Sequence, residues 1–120
     1  MPIRQVVAAF AMAIVIMMPI FGAEAYERFS VEEWKIVGVW QQSYGIDVQN
    51  VIETKGDEYR LRYVSSDEPK ATKNGQKLTK TGFRYCIVGS TFGNCLVVEG
   101  ANLKTYDNEG YIDTLKPFSD

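Results

Sequence analysis

The stretch Phe83 to Glu99, FRYCIVGSTFGNCLVVE, constrains this chain more than any other. Two strand-like runs flank a Gly-bounded turn and carry the only two cysteines in the sequence. Strand side chains alternate faces, so pairing Cys86 with Cys95 sets Tyr85 opposite Leu96, Arg84 opposite Val97 and Phe83 opposite Val98. That register collects Phe83, Tyr85, Ile87, Leu96 and Val98 on one apolar face. Arg84, Val88, Val97 and Glu99 join the cysteines on the other. The expectation is a disulfide-stapled β-hairpin in a sheet with one buried and one partly wet face.

The start of the chain reads as an address. Arg4 supplies a positive beginning, Val6 to Ile20 is an apolar run, and Ala23-Glu24-Ala25 is an A-x-A cleavage signal. Residues 1–25 are therefore expected to be a signal peptide and residues 26–120 a single domain. The apolar run falls short of the roughly 20 residues that a membrane-spanning helix needs, which disfavours an uncleaved anchor. Export with an even pair of cysteines implies an oxidising compartment, periplasmic or secreted, and a disulfide in preference to two free thiols. A domain of this size has a modest core, and a covalent staple helps most there.

Charge and composition narrow the function. Lys and Arg number 13 against 15 Asp and Glu, a formal net charge of -2, where a nucleic-acid binder would show a basic excess. Histidine is absent, which removes the commonest general base and the commonest zinc ligand. Ser and Thr have no histidine to activate them, and the acids sit mostly in turns or on polar faces. A non-enzymatic protein with no metal and no cofactor is the expectation. Carboxylates brought together by folding, such as Asp47 with Glu53, are the remaining route to catalysis.

Phe29-Ser30-Val31-Glu32-Glu33-Trp34 has the form of a helix start, with Ser30 as N-cap, Glu33 as its capping-box partner, and Phe29 with Trp34 as a hydrophobic staple. Gly38 would end this helix within two turns. Gly38-Val39-Trp40 then opens a strand. A G-x-W on the first strand after a short helical turn resembles the lipocalins and wider calycin barrels. In such barrels the Trp lies across the floor beneath a basic side chain from the last strand, and the resemblance implies that Trp40 and Lys116 close the barrel in these roles. Read from the residues alone, Trp40 is a core aromatic.

Further along, period-two alternation dominates. Ile46, Val48 and Ile52 alternate with Asp47, Gln49, Val51 and Glu53, and Lys55-Gly56-Asp57 turns into Tyr59-Arg60-Leu61-Arg62-Tyr63. Tyr59, Leu61 and Tyr63 are expected to face the core. Arg60 and Arg62 are expected to face out, as solvated positions opposite Glu53 or Asp47 or as a binding patch. Lys70 to Thr79 reads as an Asn74-Gly75 hairpin whose lysines, with Lys80, serve as edge protection or as a basic surface. Asn102 to Lys116 forms another hairpin around Asp107-Asn108-Glu109-Gly110. Its Gly stands at the fourth position, where a calcium loop requires the sixth, so a plain turn is expected.

Eight or nine short strands joined by tight turns predict an all-β fold, a small antiparallel meander closed or nearly closed into an eight-stranded barrel and preceded by a short N-terminal helix. A sandwich is the competing architecture. The stapled tip Ser90-Thr91-Phe92 would offer a preorganised loop with an exposed aromatic to an envelope or extracellular protein, unless Phe92 folds back on its hairpin. In export, length and cysteine usage the chain is similar to small periplasmic lysozyme-inhibitor barrels, which implies an inhibitor or immunity-type binding module. The calycin resemblance implies the other reading, a carrier of small lipophilic ligands.

Overall fold

The structure is a computed structural model that describes residues 27–42 and 47–119. The expected signal peptide and Ile46 lie outside the described residues. Eight strands follow one another: β1 Lys35–Gln41, β2 Gln49–Lys55, β3 Glu58–Val64, β4 Gln76–Thr81, β5 Arg84–Ile87, β6 Cys95–Glu99, β7 Asn102–Asp107 and β8 Gly110–Pro117. Each pairs antiparallel with its neighbours in sequence, and β8 returns to β1 to close the barrel. The seam is short, with Trp40 opposite Pro117 and Gln41 opposite Lys116. Closure rules out the sandwich and leaves no free sheet edge.

Period-two alternation selects the interior. Trp40, Ile52, Leu61, Leu78, Tyr85, Leu96, Leu103 and Leu115 form one buried cluster, a single residue from each strand. A barrel of eight strands is just wide enough for such side chains to fill its middle. Aromatic side chains meet toward the end that carries the 56–57, 82–83 and 100–101 turns. There the Trp40 indole N–H donates to the Ala101 carbonyl at 3.0 Å, and Tyr59 meets Tyr85 edge-on at 5.6 Å. Lys80 stands 5.8 Å from the centre of both of those rings.

A second core lies outside the barrel wall. Phe29, Val39, Val51, Val64 and Phe118 cluster on the outer face of β1–β3, with Phe29 and Phe118 in edge contact at 5.0 Å. The segments before β1 and after β8 cover this face, so the outward residues Val51, Glu53 and Arg62 are buried. Arg62 faces out of the barrel and opposite the Glu53 strand, as its alternation predicts, but it is not solvated. Its guanidinium donates to both Glu53 carboxylate oxygens at 2.7 and 3.1 Å. It also donates to the carbonyls of Phe29, Pro69 and Ala71. Arg60 pairs with the same carboxylate and stacks on Trp34, with its guanidinium carbon 4.0 Å from the ring centre.

Three local expectations are corrected. The helix from Ser30 does not form: residues 27–29 are helical, and a turn with Trp34 N–H on the Val31 carbonyl at 3.1 Å then leads straight into β1. Glu33 takes a positive φ of 71°, which no helix accommodates. Phe29 and Trp34 are drawn to different partners, Phe118 and Arg60, and that separation prevents a staple. Gly38 lies inside β1 beside a register shift and is not a helix terminus.

Asn74-Gly75 does not make a two-residue hairpin either, because β3 ends at Val64 and residues 65–75 form a loop. Lys70 is held in that loop by donating to the carbonyls of Glu27 and Ser30, which removes it from any strand. Finally, Phe83 is not a core residue. It sits in the β4–β5 turn, 73% exposed, although its carbonyl accepts the Val98 N–H as the expected register requires.

Candidate functional site

The stapled hairpin has the register its sequence implies, with Cys86 opposite Cys95, Tyr85 opposite Leu96 and Arg84 opposite Val97. The disulfide joins Cys86 and Cys95. Beyond it, the tip is fixed by its own small residues. Ile87 N–H donates to the Asn94 carbonyl at 2.9 Å. The Ser90 hydroxyl donates to Asn94 Oδ1 at 2.7 Å and accepts the Asn94 N–H at 3.0 Å. Ser90 therefore spends its hydroxyl inside the tip, while Thr91 is exposed.

The β7–β8 turn then anchors the tip from outside, since Asn108 N–H donates to the Phe92 carbonyl at 2.9 Å. Gly93 has φ 64°, and a Cβ there would collide with the Asn108 side-chain carbonyl, so this closeness requires glycine. Held in this way, Phe92 is 68% exposed.

Below the tip the barrel is open. The inward positions at this end enclose a cavity of about 600 Å³. Gln42, Asn50, Tyr63, Gln76, Thr105 and Asp113 supply polar walls, and Ile87, Leu96 and Leu115 supply apolar ones. Val88, Phe92 and Ile112 line it too and are exposed, forming an apolar rim. Asn50, nearly fully buried, donates to Gln42 Oε1 at 3.0 Å. Asp113 Oδ1 accepts the Thr114 N–H at 2.8 Å, which orients its carboxylate. Tyr63 was expected in the core. It does point inward, but at the mouth, 37% exposed, and partial burial pushes its phenol above the usual tyrosine range.

The other sequence candidates are dispersed. Trp40 is buried in the barrel interior, its indole bonded to the Ala101 carbonyl, and Lys116 is exposed and shares its register position with Gln41. The β1–β8 seam they belong to is paired, with Trp40 opposite Pro117 and Gln41 opposite Lys116. Asp47 and Glu53 each have partners of their own. Asp47 accepts the Ser66 hydroxyl at 2.6 Å and the Gln49 amide at 3.0 Å, and these bonds hold its pKa below the usual carboxylate value. The lysines of residues 70–80 do not form one surface, since Lys70 binds the N-terminal segment, Lys80 covers Tyr59 and Tyr85, and Lys77 lines the cavity.

The cavity was not singled out in the sequence, although a signal for it was present. Extending the inward parity by two residues toward this end, from Trp40 to Gln42, Ile52 to Asn50, Leu78 to Gln76, Leu103 to Thr105 or Leu115 to Asp113, passes from apolar to polar side chains on most strands. No protein-family model, curated protein or solved structure matches this chain.

Proposed function

We propose that this is an exported, non-enzymatic binding module of the bacterial envelope that engages a protein partner through the open end of its barrel, in the manner of an inhibitor or immunity protein. The observation that carries this reading is Phe92, an aromatic 68% exposed on a tip that a disulfide, an internal Ser90–Asn94 clasp and the Asn108 contact hold in place. A loop ordered in advance loses little conformational freedom on binding, and exposed aromatics beside an apolar rim are the usual anchors of protein interfaces. Ser90 shapes the tip, while Thr91 and Phe92 meet the partner. The disulfide is consistent with an oxidising compartment, and the closed eight-stranded barrel is compatible with the calycin resemblance.

The carrier reading draws support from the cavity, but its wall of amides, hydroxyls and a carboxylate suits a lipophilic ligand poorly, because such a ligand would displace water from those groups and offer no hydrogen bond in return. The test is affinity capture from envelope extract with wild-type protein and with Phe92→Ala, beside thermal melts of both. Phe92→Ala should change stability by less than about 0.5 kcal/mol. It should weaken binding of the identified partner by about 2 kcal/mol or more. A substantial drop in melting temperature with unchanged capture would make Phe92 a packing residue and remove the tip from consideration.

A further inference from the structure

We propose that the open end of the barrel is a binding site for a neutral saccharide of about two sugar units, a property that goes beyond the protein-binding reading and does not rest on it. Three observations select this ligand class. The first is the chemistry of the wall: Gln42, Asn50 and Gln76 present carboxamides, which donate and accept at once, and Thr105 and Tyr63 add hydroxyls of the same double character. Asn50 donates to Gln42 and Thr105 donates to the Asp113 carbonyl, yet each group keeps further donor or acceptor capacity, which sugar hydroxyls meet in either sense and an alkyl ligand does not.

The second observation is charge. Asp113 and Lys77 are the charged residues among those described around the cavity, one of each sign, and no excess field favours an ion. The third is placement. Asn50 and Tyr63 are register partners on β2 and β3, and Thr105 and Asp113 are register partners on β7 and β8, so polar groups converge from separate parts of the ring. Ile87, Leu96 and Leu115 give an apolar patch between them, and the exposed ring of Tyr63 stands at the mouth, as the C–H face of a pyranose requires. A volume of about 600 Å³ lies in the range of pre-formed small-ligand sites. The disulfide bonds Cys95 of this wall to Cys86 on the neighbouring strand.

The experiment is an amide-resolved NMR titration of protein produced from the full chain, with maltose, cellobiose and chitobiose as separate probes and a capped trialanine as the peptide comparison. At least one sugar should give saturating shifts of the Asn50 and Gln76 side-chain amides. Tyr63→Ala and Gln76→Leu should each weaken that binding by up to about tenfold, since each removes one polar or stacking partner. Gln76 is exposed, so its variant should melt with the wild type, and Thr105→Val provides a second wall substitution if Tyr63→Ala is unstable. Absence of saturating shifts with all three sugars would overturn the proposal. So would sugar shifts undiminished in the wall variants, or saturation by trialanine alone, which would give the cavity to a polypeptide. Phe92→Ala capture is read independently, and either result can fail without the other.

Discussion

Arg62 and Glu53 are charged side chains on the outer wall of a barrel, and both are wholly buried. Two ions removed from water are tolerable only when nearly every donor and acceptor is paired, and here the guanidinium reaches Glu53 and three backbone carbonyls. Glu53→Ala should therefore destabilise the fold by about 3–5 kcal/mol, because it strands a buried guanidinium. Arg60→Ala, at a half-buried partner of the same carboxylate, should cost less, and denaturant melts of the two variants rank them. Asp47 gives a pH signature at the surface. Its pKa is lowered by the Ser66 and Gln49 hydrogen bonds, so its contribution is present above the unfolded value of about 3.9 and is lost as pH falls through the lower folded value. Stability of the wild type should fall on acidification through that window, and Asp47→Asn should flatten this part of the profile. The alternation of β3 makes the outward aim of Arg60 and Arg62 legible in the sequence. Their burial was not legible, because the cover comes from residues 27–34 and 65–75, which no local pattern assigns to that face.

At the scale of the element, the stapled hairpin was the most readable part of the chain, since two cysteines nine residues apart and alternating runs leave one pairing that suits both faces. Reducing the Cys86–Cys95 bridge should lower stability by up to about 2.7 kcal/mol on the chain-entropy estimate, and melts with and without reductant measure it. The tip should be more sensitive than the sheet. In Gly93→Ala a methyl group meets the Asn108 side chain on a positive-φ backbone, so a loss of about 1–3 kcal/mol and a displaced Phe92 are expected, read by melting and by partner capture together. The segment before β1 was the least readable. Ser30, Glu33 and Trp34 carry a sound helix-start pattern, yet tertiary partners override it: Arg60 takes Trp34, Phe118 takes Phe29, and Lys70 takes the carbonyls of Glu27 and Ser30. Similarly, Asn74-Gly75 marks a turn correctly but not the strands around it, because the 65–75 loop follows the Arg62 and Lys70 hydrogen bonds.

For the whole molecule, closure follows from strand number and tight turns, and both can be counted in the sequence. The filled middle follows from one apolar residue per strand, Trp40 through Leu115. The cavity above it escaped notice because polar inward residues near strand ends resemble ordinary surface positions until the ring is assembled. That ring closes through the least local strand pair of the barrel. Trp40 meets Pro117, and Phe29 meets Phe118, across nearly the full length of the domain, whereas every other strand pair joins neighbours in sequence. Loop-closure entropy makes the most distant contacts the slowest to gain. A chain lacking β8 would hold an open sheet with bare edges on β1 and β7, available to other strands. The aromatic contact between first and last segments thus ties closure of the barrel to both ends of the described residues. The Arg62 site, by contrast, takes its carbonyl partners from Phe29, Pro69 and Ala71, so its hydrogen bonds need nothing from the last strand, and loss of that strand should expose sheet edges before it unpairs this charge.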